Sequence, residues 1–207
     1  MIHPACDFIK FNLDQLFSSY PKSDIKTIDY YVEEAIVDTI FDANVKYKGK
    51  KEFNDWNSLK SYIEIDSTLE TVFLYRLERL IFLHQSDSAV LQYLASMMKR
   101  RTGAEIYYST QIGKGFNIQH GFGIVVGPRY SIGENFTIHQ GVTLGQKNLN
   151  SPDEKIVIGN NVTIFANAVV LGNINIGNNV RIGANSVLLH DAIDNGVYIG
   201  APAKKRN

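Results

Sequence analysis

Residues 156–188 read IVIGNNVTIFANAVVLGNINIGNNVRIGANSVL, and an aliphatic side chain returns in this stretch at every sixth position. The repeated positions are Ile158, Ile164, Val170, Ile176, Ile182 and Leu188. Three of them, Ile158, Ile176 and Ile182, are followed directly by glycine. A fixed short period of this kind indicates a repeat architecture in which each unit packs against the next.

The same series continues towards the N-terminus as far as residue 106. Its earlier members are Ile106, Ile112, Ile118, Val126, Ile132, Ile138 and Leu144. A unit of six residues is one short strand plus a turn, and it cannot bury its own aliphatic side chain. Three units form a triangular coil, and stacked coils place the aliphatic side chains in a continuous axial core. The pairs Asn160-Asn161 and Asn178-Asn179 are predicted turn residues, because asparagine tolerates left-handed backbone angles.

Two interruptions break the six-residue spacing. Eight residues separate Ile118 from Val126, so two extra residues are expected to bulge out near His120. Fourteen separate Leu144 from Ile158, and the polar segment Gln146–Lys155, which contains Pro152, is predicted to leave the repeat as a loop. Deviations from a rigid scaffold are common places for function.

Residues 1–102 have a different pattern, with apolar side chains at helical spacing. The two clearest runs are Tyr30, Val32, Ile36, Val37, Ile40 and Phe41, and then Leu69, Val72, Phe73, Tyr75, Leu77, Leu80 and Ile81. Asp66 and its neighbours offer N-cap chemistry before the second run, residues 87–100 predict a further short helix, and Lys46–Asn57 predicts a loop. The expected fold class is therefore α+β, with an α-helical domain at 1–102 and a parallel β-helix at 103–207.

Composition excludes several classes of protein. Twenty-one basic side chains balance 21 acidic ones, which argues against a nucleic-acid-binding protein. Cys6 is the single cysteine, so the chain has no internal disulfide, as is usual in a reducing compartment. The apolar runs are far shorter than the roughly 20 residues that cross a bilayer, and we see no secretory signal. The expectation is a cytoplasmic protein without a membrane span.

Four motifs carry a family resemblance. They are IQHGFGIVVG at Ile118–Gly127, GVTLG at Gly141–Gly145, Leu171-Gly172-Asn173, and Gly200-Ala201-Pro202-Ala203. With the hexad series they resemble the hexapeptide-repeat acyltransferases, and most of all the serine acetyltransferase branch, from about Arg101 to Lys204. The resemblance implies a left-handed β-helix, acetyl-CoA as acyl donor, and a homotrimer or a dimer of trimers with active sites between neighbouring prisms.

The resemblance also implies two catalytic residues. His120 falls on the catalytic histidine, and an imidazole with a pKa near working pH suits a general base that takes the proton of an attacking hydroxyl. Glu105 falls where the family has an acidic residue, usually aspartate, that orients the histidine. The alternatives are a surface turn histidine and a solvated carboxylate. No metal is implied.

Further residues are candidates for binding. Gly145, Ala166, Ala184 and Gly200 fall where the family packs CoA, although each is nearly as well explained by tight turns. Lys204 and Lys205 can meet a phosphate by charge, or belong to a frayed tail. Ile118 and Ile138 lie on the same face of adjacent coils. His139 is therefore expected about one strand spacing, 5 Å, from His120, with a further offset along the strand. It either lines the acceptor pocket or caps a turn.

The acceptor site departs from the serine acetyltransferase pattern. Gln119 replaces the acidic residue that precedes the histidine, and Glu154-Lys155 stand where an Arg-His pair grips the amino-acid carboxylate. Glutamate would repel that carboxylate, and Lys155 compensates only in part. The sequence therefore favours an O-acetyltransferase acting on a sugar or glycan hydroxyl. Serine O-acetylation, N-acetylation of an amino sugar and a non-catalytic β-helix scaffold are the alternatives.

Overall fold

A computed structural model describes residues 3–18, 20, 22, 25–148, 150 and 154–206. The chain forms two compact units, Met1–Gly103 and Ala104–Asn207. The first unit is helical and the second is built from short strands. No helix within the described ranges is long and apolar enough to cross a membrane.

Five helices make up the first unit: α1 (Pro4–Leu16), α2 (Ile25–Lys46), α3 (Trp56–Ile65), α4 (Ser67–His84) and α5 (Val90–Thr102). The two apolar runs lie on α2 and α4, as predicted. On α2, however, Tyr30, Val37 and Phe41 face outwards, while Val32 and Ile36 are buried. The sequence did not single out α1 or α3.

Helix α4 is the centre of this unit and packs against α2, α3 and α5. It begins where predicted, because the Asp66 side chain accepts a hydrogen bond from the N–H of Thr68 at 2.9 Å. Arg76 on α4 donates to Asp42 on α2 at 2.8 Å, and both side chains are almost completely buried. Glu78 is fully buried, and neither carboxyl oxygen has a hydrogen-bond partner among the described residues. Burial raises the pKa of Glu78 well above its ordinary value, so the group is held neutral.

The second unit is a left-handed parallel β-helix. Its first coil holds β1 (Glu105–Ile106), β2 (Gln111–Ile112) and β3 (Asn117–Gln119), and its second holds β4 (Val125–Val126), β5 (Ser131–Ile132) and β6 (Thr137–His139). The third holds β7 (Thr143–Gly145), β8 (Ile156–Ile158) and β9 (Thr163–Ile164), and the fourth β10 (Val169–Leu171), β11 (Ile174–Ile176) and β12 (Arg181–Ile182). The last part holds β13 (Val187–Leu188), β14 (Val197–Ile199) and β15 (Lys204–Lys205).

These strands stack into three sheets that form the faces of a prism. Sheet 1 is β1-β4-β7-β10-β13, sheet 2 is β2-β5-β8-β11, and sheet 3 is β3-β6-β9-β12-β14-β15. We name the prism edges by the sheets they join, in chain direction: the 1–2 edge, the 2–3 edge and the 3–1 edge. All thirteen hexad positions are buried, and the most exposed of them, Ile112, is only 4% accessible. The hexad series therefore predicted the core correctly.

Asparagines line the 2–3 edge. Asn161 and Asn179 have φ of 57° and 56°, as expected of turn residues. Side-chain amides also join successive coils, since Asn135 donates to Asn161 at 3.1 Å, Asn161 to Asn179 at 3.2 Å and Asn179 to Asn195 at 3.1 Å. The result is a continuous ladder along this edge.

Candidate active site

The predicted bulge is the turn that carries His120, on the 3–1 edge. Five residues, 120–124, connect β3 to β4, whereas three, 140–142, make the same connection one coil later. His120 has φ of 61°, and its carbonyl accepts a hydrogen bond from the N–H of Phe122 at 2.6 Å. The His120 side chain is exposed, and so is 76% of Phe122. The wider turn thus presents the imidazole at the surface of the prism.

Glu105 lies beside this turn. It is the first residue of β1, which pairs with β4, and it is partly buried. Its backbone N–H donates at 2.8 Å to the carbonyl of Ile124, the last residue of the turn. This contact brings Glu105 to the end of the turn that carries His120, and the orienting role of its carboxylate stays a prediction.

His139 occupies the neighbouring coil on sheet 3. It is paired in register with Gln119, and both side chains point outwards because Ile118 and Ile138 fill the core. The His139 ring packs on Phe165, with ring centroids 5.0 Å apart and planes at 31°. Burial, and then the positive charge of nearby His120, lower the pKa of His139. His139 is the last residue of β6, and its role, lining an acceptor pocket or capping the turn, stays a prediction.

Three residues predicted to bind CoA lie on the same edge as His120, namely Ala166, Ala184 and Gly200. The hydrogen bonds between coils run from Asn167 N–H to Gln140 carbonyl and from Asn185 N–H to Ala166 carbonyl, each at 2.9 Å. Ala184 precedes Asn185, and the Gly200 carbonyl accepts from Val187 N–H at 2.9 Å. Coils stack at about 4.8 Å, so four steps from His120 to Gly200 span about 19 Å along the edge. Ala166, Ala184 and Gly200 form a narrow strip of small residues along this edge. The strip begins one coil after Gln140 in chain order and leads away from the His120 imidazole.

Gly145 and Lys155 lie elsewhere. Gly145 ends β7 at the 1–2 edge, and the described residues of the predicted loop Gln146–Lys155 form no strand or helix. Lys155 is exposed, and its N–H donates to Asn173 Oδ1 at 3.3 Å. In this loop Pro152 lies outside the described residues. Within one prism these two candidates are therefore on a different edge from His120.

Glu154 has a role that the sequence did not reveal. Its Oε2 accepts a hydrogen bond from the backbone N–H of Lys147 at 2.7 Å. The carboxylate thus ties the end of the loop to its beginning. Charge alone predicted repulsion of a substrate carboxylate, whereas the geometry commits Glu154 to the loop's own backbone.

The C-terminal lysines belong to a strand. Strand β15 pairs antiparallel with β14, Ile199 opposite Lys204 and Tyr198 opposite Lys205, and Arg206 N–H donates to Val197 carbonyl at 2.7 Å. The alternative of a frayed tail is therefore wrong for residues 204–206. Both lysine side chains are exposed near Gly200. No cluster of three or more His, Cys, Asp or Glu side chains suited to a metal ion occurs in the described part of the chain.

The chain is similar to several known proteins. Residues 155–190 match the family model described as bacterial transferase hexapeptide (six repeats). The serine acetyltransferase of Staphylococcus aureus is 38% identical over 148 residues, which span 66% of this chain and 68% of that protein. The chain belongs to the serine acetyltransferase family. The Staphylococcus xylosus serine acetyltransferase is 45% identical over 125 residues, 58% of this chain, and the match covers only 56% of that relative.

Solved structures of this family agree with the fold. A serine acetyltransferase in complex with CoA has a TM-score of 0.78 and 25% identity, over 97% of this chain and 83% of that chain. Soybean serine acetyltransferase complexed with serine has a TM-score of 0.76 and 26% identity, over 94% of this chain and 81% of that chain. The comparisons confirm the family predicted from the motifs. They give no support to a sugar or glycan acceptor.

Proposed function

We propose that this chain is an acetyl-CoA-dependent serine O-acetyltransferase, with its activity in the β-helix at 103–207. The observation that carries the proposal is the match to the Staphylococcus aureus serine acetyltransferase over 66% of this chain and 68% of that protein. The exposed imidazole of His120, on the same edge as a strip of small residues, supplies a geometry suited to the chemistry.

The 3–1 edge fits a CoA-type ligand. Ala166 is half-exposed, and Ala184 and Gly200 are exposed, so a ligand can lie flat against the backbone there. The far end of the strip, at Gly200, lies about 19 Å from His120 along the edge, and the cationic pair Lys204 and Lys205 follows Gly200. Such an edge would place a reactive thioester at His120 and anionic phosphates towards the lysines. Gly145, on another edge, is not part of this strip.

Acetyl-CoA supplies an activated thioester. His120 removes the proton of the serine hydroxyl as its oxygen attacks the thioester carbonyl, and then returns that proton to the departing sulfur. A positioned base of this kind contributes on the order of a hundred- to ten-thousand-fold in rate. Glu105 would stabilise the imidazolium and fix the tautomer of His120.

A neighbouring copy is proposed to complete the acceptor site. His120 lies on the 3–1 edge and the loop ending in Lys155 on the 1–2 edge, so one prism holds them apart. In a homotrimer, alone or as half of a dimer of trimers, different edges of adjacent prisms meet, and Lys155 of a second copy can reach the acceptor carboxylate. A cytoplasmic location is part of the proposal, because Cys6, the single cysteine, needs no oxidising compartment.

A thiol-release assay tests the proposal. Purified protein is incubated with acetyl-CoA and, in separate reactions, L-serine, homoserine and several free sugars. We expect release of CoA with serine and only background with sugars. Turnover with a sugar but not with serine would reverse the acceptor assignment. Absence of turnover, together with no thermal stabilisation by acetyl-CoA, would favour the scaffold alternative, because a bound ligand must stabilise the native state.

A further inference from the structure

The outward face of sheet 3 beside His120 carries two polar side chains, Gln119 and His139. We propose that these two residues bind the ammonium group of the acceptor through uncharged hydrogen-bond acceptors. The inference rests on the serine acetyltransferase activity proposed above and names the residues that select an amino group. It assigns a role to His139 beyond general lining of a pocket.

The position of the pair fits a vicinal amino alcohol. Gln119 and His139 are register partners on adjacent strands, which lie about 4.8 Å apart. His120 follows Gln119 directly in the chain. In serine the hydroxyl and the ammonium group are on adjacent carbons. A hydroxyl at His120 therefore brings the ammonium group within reach of the neighbouring pair.

The side-chain amide of Gln119 is oriented to accept a hydrogen bond from a ligand. Its Nε2 donates to Asn117 Oδ1 at 3.0 Å, which commits the donor end of the amide to the protein. The carbonyl Oε1 is then the end of the amide that can receive an N–H from a ligand. An amide oxygen at this position can thus accept a hydrogen bond from a ligand without carrying a charge.

The surroundings of His139 favour its neutral imidazole form, which can accept a hydrogen bond. Its ring packs on Phe165, and its register partner on the other side is the uncharged Gln119. His120 is the titratable group that acts on it, and this charge adds to the effect of burial in lowering the pKa of His139. A neutral imidazole keeps one nitrogen lone pair free for a donor, whereas an imidazolium has none. At neutral pH His139 can therefore accept a hydrogen bond from an ammonium group.

Two matched variants separate binding from packing. His139→Phe keeps an aromatic ring on Phe165 and loses the acceptor, whereas His139→Gln loses the ring and keeps an acceptor. The KM of each is measured for L-serine, for 3-hydroxypropanoate, which has the hydroxyl and carboxylate of serine without its amino group, and for acetyl-CoA.

For His139→Phe we expect the KM for serine to rise about 10- to 100-fold, as for loss of a hydrogen bond to a charged group. The KM values for 3-hydroxypropanoate and acetyl-CoA stay unchanged. For His139→Gln we expect a serine KM within about threefold of the parent, because a neutral acceptor remains. Gln119→Leu should resemble His139→Phe.

The opposite pattern overturns the inference. If His139→Phe keeps the serine KM while His139→Gln loses activity or thermal stability, the ring serves packing on Phe165 alone. A parent protein that does not acetylate serine refutes the proposed function, and the ammonium site with it. A parent that does, with unchanged KM in His139→Phe, refutes only the ammonium site.

Discussion

We expect that replacing His120 by asparagine lowers kcat by about a hundred- to ten-thousand-fold. At 1.36 kcal/mol for each factor of ten, this raises the barrier by about 2.7–5.4 kcal/mol. The reason is that asparagine cannot take a proton at neutral pH, so the serine hydroxyl must attack without a base. Asparagine is chosen because it tolerates the backbone angle of this turn.

The fold should survive the substitution. His120 is exposed and has φ of 61°, a left-handed conformation in which asparagine is enriched several-fold. Surface changes of this kind shift the free energy of unfolding by about 0.5 kcal/mol or less. The thermal midpoint of His120→Asn should therefore match the parent, and so should its stabilisation by acetyl-CoA.

The assay measures thiol release at saturating acetyl-CoA with serine varied, alongside thermal unfolding of the same samples. His84→Asn is the matched control, since His84 is also exposed but lies at the end of α4, stacked on Tyr31 at 5.2 Å. It should keep full turnover. If His120→Asn also keeps full turnover, or if kcat falls only in proportion to lost folded protein, the general-base assignment is wrong.

Three further outcomes follow from the described contacts. Asp42→Ala should cost about 3–5 kcal/mol in urea unfolding because it removes the carboxylate that pairs with the buried Arg76 charge, and Asp42→Leu combined with Arg76→Met should recover most of it; equal losses in both would contradict this. Glu78→Gln should stabilise the protein at pH 7. The pKa of Glu78 is raised in the folded protein above its value of about 4.3 in the unfolded chain. The free energy of unfolding of the parent therefore falls as the pH rises above about 4.3, and the gain from Glu78→Gln should vanish below that pH. Ala184→Phe should abolish thermal stabilisation by acetyl-CoA, which is about 2.7 kcal/mol at a hundred times Kd, with the unliganded midpoint unchanged.

The sequence predicted what the repeat determines. Because each coil consists of three hexad units, Ile118 and Ile138, three units apart, were predicted to pair, and this pairing brings His139 next to the turn of His120. The two extra residues after Ile118 were found for the same reason. The core, the turn asparagines and the exit point of the loop all follow from counting along one period.

The sequence did not predict contacts that do not follow from the six-residue repeat. Nothing in the spacing reveals that Glu154 accepts from the N–H of Lys147, since this depends on the loop's own path. The burial of Glu78 depends on how four helices meet and not on its position in the α4 pattern. The sugar acceptor was favoured from the charges of the loop residues alone, and the relatives, which are serine acetyltransferases, give it no support.

Strand β15 has a consequence for the prism as a physical object. A parallel β-helix ends in a coil whose backbone groups can extend the sheets of a second molecule, and repeated stacking of that kind would produce fibres. Here the chain reverses after Gly200 and pairs with β14 through Ile199 and Lys204, so the outer side of β14 is already covered by a short antiparallel strand. The exposed charges of Lys204 and Lys205 then repel any further layer. Strand β15 thus protects β14, on this side of sheet 3, against pairing with another molecule.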